Sequence, residues 1–275
     1  MPLYVNRRGE ELWYEDIGVG CPVVLVHGWC MSSAVWKYQF EGLKDTFRLL
    51  APDLRGHGRS REASGRLDFD SFAEDLVDFF DALGLAKVIL VGWSMGAQIA
   101  LQASAGLSRR LAGMVLVSAT PCFTAAEDFP CALARNEASG MRLKVQRNKE
   151  RALNGFYTRM FAEGELEVHP AAGEIKQLLS GITSPDTAAV LDALDALAGA
   201  DMRPLLPAVN VPTLILNGGQ DQICLPQASS YLKAHISGAE QIVYPHCGHA
   251  PFLTHCEQFK ADFIDFARRV CGQNA

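Results

Sequence analysis

No run of apolar residues approaches the ~18 needed to span a bilayer as a helix, so no membrane span is expected. The first eight residues hold no apolar stretch followed by a small-residue cleavage site, so no secretory leader is expected. The eight cysteines, at 21, 30, 122, 131, 224, 247, 256 and 271, include no Cys-x-x-Cys pair. A zinc or dithiol redox site lacks its usual spacing, and no metal or cofactor is expected. Free thiols in a reducing cytoplasm are the expectation. Positive charge is not in excess either. Lys and Arg number 25 against 31 Asp and Glu, a net charge of −6, which argues against a nucleic-acid binder. Internal repeats and low-complexity linkers are absent. What is there is 275 residues, 49% hydrophobic and 20% charged, ample to bury the core of one large α/β domain or two small ones.

The pattern alternates strands and helices. Residues 3–6 and 11–15 flank an Arg8-Gly9 turn and read as a hairpin. Residues 22–27, 47–51, 87–92, 113–118 and 211–216 are apolar runs of the kind buried on both faces of a sheet, and 240–244 reads as a further strand. Residues 67–83 carry Phe69, Phe72, Ala73, Leu76, Phe79, Phe80 and Leu83 at helical spacing, closed by Gly84. Residues 94–105 read as a small-residue helix and 252–270 as the last helix. Together these imply a mostly parallel sheet covered on both faces. The alternation stops between Pro121 and Pro207, where only helix-like stretches such as 188–197 occur. That segment, 121–207, reads as a helical cap inserted into a core made of 1–120 and 208–275. Insertions at the carboxyl edge of a parallel sheet lie over the ligand site.

The strongest chemical signal is Gly92-Trp93-Ser94-Met95-Gly96. It follows a strand and opens a helix, the context of a nucleophile elbow. Small residues at 92 and 96 let strand and helix backbones pass closely. The helix start aims free N–H groups at the site. A chance Gly-x-Ser-x-Gly is the bland alternative, and the strand–turn–helix context speaks against it. A serine hydroxyl needs a base, and in this arrangement an acid and then a histidine follow the serine in chain order. Of seven histidines, His249 lies in a Gly-His loop between the strand 240–244 and the last helix. His246 is the runner-up, near the strand end, and His255 falls inside the predicted helix. Asp221, in the Gly-rich loop after strand 211–216, is the matching acid, to orient and stabilise the imidazole. Asp201 is a weaker alternative because it precedes that strand.

The N–H of Met95 and that of Trp29, in the His27-Gly28-Trp29 loop, are the candidate oxyanion donors. His27 reads as a brace for that loop. The Trp29 and Trp93 rings either wall an acyl pocket or simply pack. Residues 53–60, Asp-Leu-Arg-Gly-His-Gly-Arg-Ser, lack the Gly-x-x-x-x-Gly-Lys-Ser/Thr pattern of a phosphate loop and read as a structural turn beneath the site.

Taken together, His27-Gly28-Trp29, residues 53–60, Gly92 to Gly96, Asp221 and His249 make the chain resemble the α/β-hydrolase superfamily over nearly its full length. More narrowly, His27-Gly-Trp, Gly92-Trp-Ser-Met-Gly, residues 118–123 (Ser-Ala-Thr-Pro-Cys-Phe) and residues 249–255 (His-Ala-Pro-Phe-Leu-Thr-His) resemble the pimeloyl-[acyl-carrier protein] methyl ester esterases of biotin synthesis. The first two stretches are shared with many relatives and the last two are more telling. The resemblance implies hydrolysis of a methyl ester at the far end of an acyl chain held on acyl carrier protein. It implies substrate contacts from Trp29, Trp93, Phe123, Phe156 and Met160, although the cap segment 156–160 matches only loosely beyond its phenylalanine. Met95 stands where that family often has leucine, which leaves the backbone N–H unchanged.

The charge is unevenly spread. Residues 135–159 hold seven bases against two acids, +5, leaving −11 for the rest. Lys144, Arg147 and Arg151 fall at i, i+3 and i+7, one helical face, with Arg142 and Arg159 nearby. A solvated face is the bland reading. A docking surface for the acidic acyl carrier protein is the functional one. Small free esters remain alternative substrates. A lactone or carbon–carbon bond hydrolase is the rival enzyme reading. A non-catalytic ligand receptor is disfavoured by the intact Ser94, Asp221 and His249, and a dehalogenase by the absence of an Asp at position 94.

Overall fold

A computed structural model describes residues 2–63 and 65–272. Eight strands form one sheet in the order β1 (Leu3–Val5), β2 (Glu11–Ile17), β4 (Phe47–Pro52), β3 (Cys21–Val26), β5 (Val88–Trp93), β6 (Leu111–Val117), β7 (Thr213–Gly218) and β8 (Glu240–Tyr244). The β1–β2 hairpin is antiparallel, as is its pairing with β4, and every later pairing is parallel. The central strands β5 and β7 are buried at every residue, which is why they read as unbroken apolar runs.

Helices cover the sheet on both faces. They are α1 (Lys37–Leu43), α2 (Phe69–Ala82), α3 (Met95–Leu107), α8 (Pro226–His235), α9 (Pro251–Thr254) and α10 (Cys256–Cys271). Asp68 caps α2 by accepting the Ser71 N–H, and Gly84 ends it with a φ of +59° that L side chains rarely adopt. The sequence pattern predicts one final helix. Instead, His255, at φ −114° and ψ 39°, separates α9 from α10 and so lies at a junction, not inside a helix. The expectation of eight free thiols is also corrected. Cys21 and Cys271 pair in a disulfide joining the start of β3 to the end of α10. Sequence separation of 250 residues hides that pairing from any local spacing rule.

Between β6 and β7 the chain forms α4 (Arg135–Arg147), α5 (Lys149–Arg159), α6 (Ala172–Gly181) and α7 (Thr187–Gly199). The ends of this insertion meet at a Cys122–Asp201 bridge. The predicted single face of Lys144, Arg147 and Arg151 does not exist as one helix. Asn148, extended at φ −161°, ends α4, and its side chain then caps α5 through the Arg151 N–H. Helix α5 packs back on α4, so the cations gather by tertiary contact, not by helical period.

Of the four non-glycine residues with positive φ among the described residues, Cys30 (58°), Ser94 (56°) and Ser118 (44°) follow the carboxyl ends of parallel strands, and only Lys87 (54°) lies elsewhere, just before β5. Strained backbone is thus concentrated on the sheet edge where the insertion sits.

Candidate active site

Ser94 sits between β5 and α3 with φ 56° and ψ −115°, its backbone N–H held by the Val117 carbonyl. This turn is possible only because Gly92 and Gly96, two residues before and two after Ser94, have no side chains. A Cβ on Gly92 would fall 2.3 Å from the Gly96 carbonyl oxygen, and one on Gly96 would fall 2.2 Å from that of Val26. The predicted helix from 94 begins one residue later, so Ser94 stands outside it and Met95 opens it. As the first helical residue, Met95 has no carbonyl one turn earlier to take its N–H.

His249 lies in the loop between β8 and α9. Its Nδ1–H donates to Asp221 Oδ2 at 2.8 Å, and both side chains are fully buried. Asp221 Oδ1 accepts the N–H groups of Ile223 and Cys224 at 2.8 and 3.0 Å. With every Asp221 oxygen committed, the imidazole keeps its proton on Nδ1 and leaves the Nε2 lone pair free. Nε2 is buried without a partner. The loop is held from several sides. The His249 carbonyl accepts the Trp93 indole N–H at 2.9 Å, the His249 N–H donates to the Met160 carbonyl at 2.6 Å, and the Phe252 carbonyl accepts from Gln39.

The loop after β3 faces the serine. A Cβ on Gly28 would lie 3.4 Å from Ser94 Cβ. His27 is buried and braces that loop: its Nδ1–H donates to the Gly28 carbonyl at 2.8 Å while Nε2 accepts the Leu54 N–H. Burial lowers the His27 pKa to about 4 and that of His57 to about 3, with the nearby His27 adding to the His57 shift. Residues 53–60 form the buried turn expected. Asp53 accepts the Ser33 and Arg59 N–H groups, and Arg55 is enclosed by Asp75 and Glu10.

The structure brings Trp29, Trp93, Phe156 and Met160 to this edge. The Trp29 ring meets that of Phe156 edge to face at 5.0 Å, and its indole N–H donates to the Val190 carbonyl of α7. Trp93 lies 5.5 Å, ring to ring, from His249. Met160 contributes its carbonyl, as above. Phe123 is buried near the start of the insertion, where its carbonyl accepts the Leu133 N–H. The runners-up separate from the site. His246 is exposed, and Asp201 is committed to Arg203 and Cys122. Cys224 carries no motif and was invisible to sequence spacing. Its thiol sits beside the Ser94 hydroxyl, and burial pushes its pKa well up, so it stays neutral.

The basic residues divide. Lys144, Arg147, Arg151 and Arg159 line one groove of about 520 Å³ between α4 and α5, floored by Met141 and Ala152. Arg159 is also tied to Glu137 and to the Gln222 carbonyl beside Asp221. Arg142 is not part of this groove. It turns to Asp195 of α7 at 2.9 Å.

Among the described residues no helix is long and apolar enough to cross a membrane. Residues 22–255 match the alpha/beta hydrolase fold family. The chain is 34% identical over 251 residues to a pimeloyl-[acyl-carrier protein] methyl ester esterase from Nitrosomonas europaea, covering 90% of this chain and 96% of that one. Among solved structures it is similar to an esterase from Exiguobacterium antarcticum, with a TM-score of 0.88 and 27% identity over 96% of this chain and 98% of the other. It is also similar to a bromoperoxidase from Bacillus anthracis, with a TM-score of 0.87, 27% identity and the same coverage.

Proposed function

The chain belongs to the alpha/beta hydrolase family, and we propose that it is a serine ester hydrolase acting on the methyl ester of an acyl chain carried by acyl carrier protein, as in biotin synthesis. The observation that carries the hydrolase reading is the 2.8 Å Asp221–His249 bond, which leaves Nε2 free in the same edge as the strained Ser94 turn. The carrier-bound substrate is supported by the likeness to the Nitrosomonas enzyme and by the basic groove between α4 and α5.

In this reading Ser94 Oγ attacks the ester carbonyl while His249 Nε2 takes its proton. The oxyanion is met by the N–H groups of Met95 and Trp29, two donors worth roughly 3 kcal/mol each. The tetrahedral intermediate collapses, methanol leaves with the proton from His249, and an acyl group remains on Ser94. Water, deprotonated by His249, then attacks the acyl carbonyl. Collapse frees the carboxylic acid, still on its carrier, and returns the proton to Ser94. Asp221 stays ionised throughout and stabilises the imidazolium. Residues 121–207 act as a cap over the hydrolase core. Trp29, Trp93, Phe123, Phe156 and Met160 are the candidate acyl contacts.

The positive field of Lys144, Arg147, Arg151 and Arg159, with the bidentate fork of the arginines, suits an acidic carrier and the phosphate of its prosthetic arm. Arg142, spent on Asp195, contributes less. Direct assay tests the reading: pimeloyl-carrier-protein methyl ester beside short p-nitrophenyl esters, with Arg147→Glu/Arg151→Glu as the variant. The variant should lose turnover of the carrier-bound ester and keep that of the small ester. Equal effects on both substrates would refute docking. A parent enzyme that turns over only small esters would leave a broad carboxylesterase.

A further inference from the structure

A buried carboxylate of the insertion holds the base loop. Glu165, in the turn after α5, is only 9% exposed and forms no salt bridge with a lysine or arginine among the described residues. Its Oε2 accepts the Gly248 N–H at 2.8 Å and the Ala162 N–H at 2.7 Å. Its Oε1 accepts the Thr254 hydroxyl at 2.5 Å. One side chain therefore joins the residue before His249, the residue five after it, and the insertion's own backbone.

The two backbones are in direct contact at that point. A Cβ on Gly248 would fall 2.5 Å from the Met160 carbonyl oxygen and 2.8 Å from the Ala162 nitrogen. The Met160 carbonyl also takes the His249 N–H. The base loop is thus registered against the insertion by two hydrogen bonds, His249 N–H to the Met160 carbonyl and Gly248 N–H to Glu165, and by a glycine contact, not by the sheet alone.

Glu165, Cys247 and His255 place ligand atoms within 4.8 Å of one another, a grouping that suggests a metal. The Thr254 hydroxyl argues otherwise. It lies within hydrogen-bonding distance of all three side chains, at 2.5 Å from Glu165, 3.5 Å from Cys247 Sγ and 3.2 Å from His255 Nδ1. Burial and the Glu165 charge also push the Cys247 thiol up, away from the thiolate a metal would need. The cluster is a hydrogen-bonded strut.

We propose that Glu165 is a positioning residue that aims the His249 imidazole at Ser94 by fixing the 247–249 loop against the insertion; this rests on the reading of His249 as the base. It acts through backbone, touching neither substrate nor reacting atoms. Displacing a reacting group by about 1 Å can cost on the order of a hundredfold in rate.

The experiment compares Glu165→Ala, Glu165→Gln, Thr254→Val and His249→Ala on a p-nitrophenyl ester, well below each variant's melting temperature. It also follows the low-field proton resonance of the Asp221–His249 bond. Glu165→Ala should lower kcat at least ~10-fold with KM within about threefold, and should shift or broaden that resonance. Glu165→Gln, which keeps an acceptor for both N–H groups, should restore most of the rate and the resonance. Parent-like kcat and resonance in Glu165→Ala would overturn the proposal, as would Gln being as damaging as Ala. If Glu165→Ala does not fold, Thr254→Val decides: a lower kcat with a moved resonance supports the strut, and no change in either overturns it. Activity in His249→Ala would overturn the base assignment itself. An inactive His249→Ala beside an unimpaired Glu165→Ala would overturn the positioning role alone.

Discussion

Asp221 Oδ2 accepts the His249 Nδ1–H at 2.8 Å, and neither side chain touches solvent. An ionised acceptor on one ring nitrogen fixes the tautomer and leaves the other nitrogen basic. Asp221→Asn should therefore fold and lose about 10³–10⁴ in kcat, because the amide can present its N–H and reverse the tautomer. The check is p-nitrophenyl acetate turnover beside a melting curve. A loss under tenfold would mean that the imidazole does not depend on this acid.

Ser94→Ala should abolish ester hydrolysis without unfolding the protein, since Ser94 makes its structural bonds through its backbone. Burst kinetics would add a positive signature: the parent should release about one equivalent of p-nitrophenol before the steady state, and the variant none. Near-parental hydrolysis by the variant would sink the elbow assignment.

Gly96→Ala should destabilise the fold strongly. The new methyl would sit 2.2 Å from a β3 carbonyl oxygen, and backbone cannot yield as a flexible side chain would. Overpacking of this kind typically costs about 1–3 kcal/mol, with more expected where backbone must move. Thermal denaturation reads it. A melting temperature within two degrees of the parent's, with activity retained, would contradict the close strand–helix passage.

His27 and His57 make stability fall on acidification. Both are neutral in the fold, with pKa values lowered by burial to about 4 and about 3 from 6.5. Below pH 6.5 the unfolded chain binds protons that the folded chain refuses, so stability rises with pH between about 4 and 6.5. Their contribution is flat above that window. Each group supplies a slope of at most ~1.4 kcal/mol per pH unit. Urea midpoints at pH 7.5, 6.0 and 5.0 should decline steeply between the last two, and His27→Gln should flatten the decline. A midpoint unchanged from pH 7.5 to 5.0 would contradict two buried neutral imidazoles.

Asp75→Asn should cost on the order of 3–5 kcal/mol, because Arg55 is wholly buried against that carboxylate and its charge would be left undercompensated. Glu10, at 3.1 Å, offsets only part of the loss. Chemical denaturation measures it, and a change below ~1 kcal/mol would show that Arg55 does not depend on this carboxylate.

Much of the architecture was legible because it obeys local rules. Strands buried on both faces become unbroken apolar runs, and the six expected after the hairpin are all present. A strand–turn–helix passage at Ser94 needs glycine at 92 and 96, so it writes itself as a motif. Chain order then pointed to Asp221 and His249, which the structure brings to 2.8 Å. Local rules also misled. The i, i+3, i+7 spacing of Lys144, Arg147 and Arg151 assumes one helix, and the Asn148 side chain makes two. The last apolar pattern ran through His255, where the backbone breaks.

The strands, the nucleophile turn and the order of acid and base are readable from the amino acids, because each depends on the shape or spacing of residues close together in the chain. Folding was needed to show which arginines share a groove, that Cys21 meets Cys271, and that Glu165 reaches Gly248 across 83 residues. Those contacts join segments far apart in sequence. A lone glutamate in a turn has no period or motif to mark it, and it becomes a strut only when the chain folds and two backbones close on the glycine before the base.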